Sequence, residues 1–132
     1  MNAQRTAVAQ RCLEGAHAGT IDFPSIVGTL IEAGFDGYFV DYRRNTTSYY
    51  RPDGDSVVLD NPGAAGPVAE AFDPAGVAGQ VRWAQANPPD YSYEAFCKAV
   101  KTMGCAGYLV SFPGRRVLYI GRTGETHVER MP

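Results

Sequence analysis

Gly37-Tyr38-Phe39-Val40-Asp41-Tyr42 reads as a β-strand, and Gly107-Tyr108-Leu109-Val110-Ser111-Phe112 reads as the same strand written again seventy residues later. Aromatic and β-branched residues dominate both stretches, and side chains of a strand alternate between faces. Tyr38, Val40 and Tyr42 therefore share one face, with Phe39 and Asp41 on the other. In the later stretch Tyr108, Val110 and Phe112 lie opposite Leu109 and Ser111. The likeness extends outward. Residues 21–59 laid on 91–129 without a gap are identical at seven of 39 positions, where composition alone gives about two or three. Gly34/Gly104 and Gly54/Gly124 fall at expected stops and turns, where a positive φ favours glycine. Gly37/Gly107, Tyr38/Tyr108, Val40/Val110, Tyr49/Tyr119 and Val58/Val128 fall on expected strands.

The flanking segments read as helices and further strands. Val8, Ala9, Cys12, Leu13 and Ala16 recur at helical spacing over residues 6–16. Asp22 is an N-cap ahead of Pro24, and Phe23, Ile26, Val27 and Leu30 form the apolar stripe of a second helix. Strands over 47–51 and 56–59 follow, joined by Pro52-Asp53-Gly54. Residues 61–67 are almost entirely Gly, Pro and Ala and read as a linker. Asp73-Pro74 opens a third helix, carrying Val77 and Val81. Ser92 caps a fourth, with Tyr93, Phe96, Val100 and Met103 as its stripe. Strands over 107–112, 115–120 and 125–129 complete the chain. The expectation is one α+β domain built from an internally duplicated helix-helix-three-strand unit. Antiparallel sheet packs with four helices about a pseudo-two-fold axis. Repeat one spans about 6–59 and repeat two about 73–129.

Residues 116–120 are apolar on both faces, unlike a sheet with one face in water. The second face is therefore expected to be covered, by the other repeat or by another subunit. Phe39, Leu109, Leu118 and Ile120 are the interface candidates, and a homodimer is expected.

Composition narrows the function. The net charge of −2 gives no basic patch for a nucleic acid. Arg43-Arg44 and Arg115-Arg116 sit at expected hairpin turns. Cys12, Cys97 and Cys105 form no CxxC pair and read as buried reduced thiols, which places the chain in a cytoplasm. No metal-ligand spacing is visible, and no cofactor is expected. The N-terminal segment lacks a signal-length apolar run, and no stretch is long enough for a membrane span.

Residues 107–110, 114–122 and 124–129 together resemble the C-terminal motif of the YbcV-like family, a bacterial domain of unknown function. Ile21-Asp22-Phe23-Pro24 and Gly37-Tyr38 resemble it too, so the likeness covers most of the chain. The resemblance implies a bacterial or prophage-borne protein. Some members carry the label "phage envelope protein". It implies no catalytic residue.

Tyr38, Tyr49, Tyr108 and Tyr119 are candidates to line a small-molecule pocket, with hydroxyls around an apolar floor. His127 stands between Glu125 and Glu129 at a period of two, an arrangement suited to a general acid or base. Asp41 interrupts an apolar strand and needs a partner such as Arg43, Arg44 or Arg116. No nucleophile accompanies them. The sequence points to a non-catalytic module that binds a small molecule or a protein. The alternative is a small hydrolase, isomerase or lyase using His127 with Asp41 or a tyrosine.

Overall fold

The computed structural model describes residues 1–63 and 65–131; position 64 of the expected linker lies outside them. The elements run α1 (Ala3–Ala18), α2 (Phe23–Glu32), β1 (Gly37–Asp41), β2 (Thr46–Tyr50) and β3 (Ser56–Asp60). They continue with α3 (Pro74–Ala86), α4 (Tyr93–Thr102), β4 (Cys105–Ser111), β5 (Arg116–Gly121) and β6 (Thr126–Arg130). This is an α+β fold with four helices and one six-stranded antiparallel sheet, ordered β3-β2-β1-β4-β5-β6.

Side chains placed at the helix starts satisfy backbone donors that the helix itself cannot. Asp22 accepts from the Ser25 N–H at 2.9 Å, Asp73 from Gly76 at 2.9 Å and Ser92 from Ala95 at 3.1 Å. Pro24 and Pro74 occupy first-turn positions where a missing N–H costs nothing. α1 is longer than the spacing predicts. Asn2 caps it at one end, and Gly19, at φ +75°, ends it at the other. Gly15 lies inside that helix, where an added Cβ would collide with the Ile21 side chain.

The two halves meet through β1 and β4. Phe39 pairs with Leu109 at the centre, flanked by Tyr38↔Val110, Val40↔Tyr108, Gly37↔Ser111 and Asp41↔Gly107. The boundaries of α2 recur in α4 seventy residues on, those of β3 recur in β6, and β2 recurs within β5. Asn45 and Arg115, also seventy apart, both adopt left-handed backbone at φ +59° and +50°.

One face of the sheet carries the core. Tyr38, Val40, Tyr49, Tyr108, Val110, Val117 and Tyr119 are buried there with Leu30, Val77, Phe96 and Val100 from the helices. Each fully buried aliphatic side chain contributes about 1.5–3 kcal/mol.

The opposite face is different. The pairings align Val58, Ser48, Phe39, Leu109, Leu118 and Val128 in one row across all six strands. Val58 and Val128 at its ends are 59% and 44% exposed. Ile120 lies one row over, among Thr46, Asp41, Gly107 and Thr126. The two halves sit side by side in one sheet, so one half does not cover this face of the other. That part of the sequence expectation is corrected by the β1–β4 pairing.

Among the described residues, no helix is long and apolar enough to cross a membrane.

Candidate functional site

The four candidate tyrosines are core residues. Tyr38 packs on Tyr49 (ring centroids 5.5 Å apart) and on Tyr108 (6.3 Å), and Tyr108 stacks on Tyr119 at 5.3 Å. Burial pushes all four phenols above their ordinary pKa, so they remain neutral. They form an aromatic ladder across the middle of the sheet.

Asp41 and His127 are not brought together. Asp41 projects on the open face, where its Oδ1 accepts from the backbone N–H groups of Arg43 and Arg44, each at 3.0 Å. It caps its own turn through the backbone and not through an arginine side chain. His127 lies on the helix-covered face, opposite Tyr119 in the β5–β6 pairing and 6.3 Å from its ring. Its Nε2 is 3.5 Å from Glu129 Oε2, within ion-pair reach but without a hydrogen bond. Glu125 is exposed in the preceding turn and accepts from the Thr123 hydroxyl.

A second arrangement was not singled out by the sequence. The end of α1, one side of α4 and residues 61–63 enclose a cleft of about 230 Å³. Tyr42 lies in it, and its hydroxyl donates to the Cys97 Sγ at 3.4 Å. Tyr93 shares a short hydrogen bond with the Tyr108 hydroxyl, and His17 meets the Tyr93 ring edge-on at 4.9 Å. Lys101 Nζ stands 5.9 Å from the Tyr42 ring centroid. Asn45 donates to the Gly63 carbonyl at 3.1 Å, and the Thr47 hydroxyl donates to Asn61 Oδ1 at 2.5 Å. These two bonds tie the 61–63 segment to β2 and to the turn before it. Burial raises the Cys97 thiol, which keeps it protonated and unreactive. A larger and shallower cleft, about 470 Å³, lies between the start of α1 and the end of α2, near Arg5 and Glu32.

His17 titrates low because burial disfavours its charged form, an effect that Glu94 partly opposes. A ring titration followed by NMR is expected to give a midpoint below 6.5. The unfolded chain then takes up this proton first as the pH falls. His17 thus adds stability that is present above pH 6.5 and lost as the pH drops towards the folded midpoint. His17→Gln should remove that part of the pH slope. A midpoint at or above 6.5 would contradict the burial.

The sequence offered Tyr42 among the strand tyrosines but did not join it to Tyr93, Cys97 and Lys101, because Tyr42 belongs to the first half of the chain and the other three to α4 in the second. A signal was present nonetheless. Seventy residues away stand Phe112, Phe23, Val27 and Ile31, so the positions that match this polar set are all apolar. No family model matches the chain, and no curated protein matches it.

Proposed function

We propose that this chain is a non-catalytic binding module that acts as a homodimer, two copies packing through the open faces of their sheets. The observation that carries this reading is the row Val58, Ser48, Phe39, Leu109, Leu118 and Val128. It is apolar at five of its six positions and crosses the whole sheet on the side away from the helices. Apolar side chains left in water over a continuous patch favour association.

Charge placement supports a second copy as the partner. Asp41 and Asp60 flank the row on one side, in the first half of the chain. Arg116 and Arg130 flank it on the other side, in the second half. A two-fold axis lying in the plane of the face, oblique to the strands, sets the acidic corner of one copy on the basic corner of the other. Complementary charges of this kind fix register and steer encounter. Six strands and five residues give a footprint of roughly 24 by 17 Å. That is less than a standard interface buries on each partner, so the dimer is weak and concentration-dependent.

On this reading the chain is a tandem duplication with a pseudo-two-fold axis between Phe39 and Leu109, and its setting is a bacterial cytoplasm. The recurrence of element boundaries, the matched left-handed turns and the YbcV-like motif support that history. A hydrolase, isomerase or lyase built on His127 with Asp41 is less well supported, because these two residues occupy opposite faces of the sheet.

Sedimentation velocity at rising concentration tests the proposal. The expected result is a shift from one copy to two between about 10 μM and 1 mM, as for a weak interface. A single copy throughout that range would overturn it.

A further inference from the structure

We propose that the cleft between α1, α4 and residues 61–63 binds a small aromatic carboxylate of about benzoate size. It lies on the helix side of the sheet, so pairing through the open face leaves it accessible.

Size sets the first limit. An apolar cavity of about 150 Å³ holds one benzene molecule. The cleft, at about 230 Å³, has room for a ring and one polar substituent. The lining sets the second limit. Val40, Tyr42 and Tyr93 supply flat apolar surface. Lys98 and Lys101 bring two positive charges to the rim against one negative charge from Glu94. Lys101 is the better placed, since its ammonium stands above the Tyr42 ring. Asn61 uses its Oδ1 to accept from Thr47, which leaves its amide N–H groups as donors for a carboxylate. A flat apolar body with one negative end matches this set, and ligand sites are commonly an apolar floor with a few converging polar groups.

The positions seventy residues away serve as an internal control. Seventy away from Tyr42, which follows β1, stands Phe112, which follows β4; seventy away from Tyr93, Cys97 and Lys101 on α4 stand Phe23, Val27 and Ile31 on α2. The same helix forms with an apolar set at these positions, so helix formation does not require the polar one. The polar set is partly paired within the protein, Tyr42 with Cys97 and Tyr93 with Tyr108, and a carboxylate ligand gives a use to the Lys101 ammonium that its apolar counterpart Ile31 cannot have.

The test is a ¹H–¹⁵N NMR titration of the folded protein with benzoate, benzamide and benzylamine. Benzoate should saturably shift the amides of α4 and residues 61–63, with a dissociation constant below about 1 mM for so small a ligand. Benzamide, of the same shape without the charge, should bind at least tenfold more weakly, and benzylamine more weakly still. Lys101→Met should reduce benzoate to the level of benzamide, and its amide dispersion reports whether the fold is kept. Equal binding of benzoate and benzamide, shifts that map elsewhere, or no saturation by about 10 mM would each overturn the proposal. The comparison of the three probes on the unaltered chain decides the matter even if Lys101→Met fails to fold.

Discussion

Gly104→Ala is expected to destabilise the fold by at least about 3 kcal/mol, and Gly34→Ala by only about 1–2 kcal/mol. Both glycines follow a helix and adopt left-handed backbone, at φ +83° and +94°. Any L-residue pays a similar conformational cost at either site. What differs is the space. A Cβ at Gly104 would fall inside contact distance of the Ala71 carbonyl oxygen, and only 2.8 Å from the Phe72 Cα. These are backbone atoms of the segment that crosses to α3, which is held to α4 and its end by Ala69 N–H donating to Lys101 O at 3.0 Å and Asp73 N–H donating to Met103 O at 2.8 Å. They cannot rotate aside. At Gly34 the nearest atoms are the flexible end of Arg51, at 3.6 Å. Urea unfolding of the two variants checks this. Equal midpoints would show that the segment after residue 64 is not packed as described.

The second large effect is on association. Phe39→Glu is expected to weaken the dimer at least thirtyfold, about 2 kcal/mol, which is the loss typical of a residue central to an interface. Phe39 sits at the middle of the apolar row, paired with Leu109, and a two-fold axis through that centre brings two copies of it together. Each copy would then place a carboxylate against apolar surface with no partner. The Phe39 ring also covers Gly107, where a Cβ would lie 3.0 Å from its tip, so this change has some cost to folding. Leu118→Glu, which lies in the same row and leaves Gly107 covered, should weaken the dimer in the same direction. Sedimentation of both variants measures this. Association that persists undiminished in both would place the contact elsewhere.

Much of the architecture was legible because it is local. Asp22, Asp73 and Ser92 announced their helices as caps, and Pro52-Asp53-Gly54 and Thr123-Gly124 announced hairpins between neighbouring strands. The join between the halves is not local. Nothing in either three-stranded unit says which edge its partner will take, and β1 with β4 was one of several possibilities. One signal did bear on it. Glycine inside a strand often marks a close backbone approach. A Cβ at Gly37 or Gly107 would collide with the carbonyl oxygen of Val110 or Val40 respectively, each on the partner strand. The matched glycines thus mark the seam.

The site was less legible than the fold. The strand tyrosines looked alike in sequence, and Tyr38, Tyr42, Tyr49, Tyr108 and Tyr119 all entered the core, but Tyr42 also came to line a cleft. The difference arises from what lies above each ring. α4 presents Cys97 and Lys101 over Tyr42, and that crossing of elements from separate halves is a tertiary fact. The same limit applied to Asp41 and His127. Alternation placed each correctly on a face of its own strand, but the relation between two strands at different places in the sheet was needed to see that they do not meet.

The most direct measurement is an isotope-filtered NOE experiment on an equal mixture of ¹³C-labelled and unlabelled protein, at a concentration where two copies associate. The account predicts cross-copy NOEs from the Phe39 ring to the Leu109 and Leu118 methyl groups. An associated sample in which those methyls show contacts only within their own copy would contradict it.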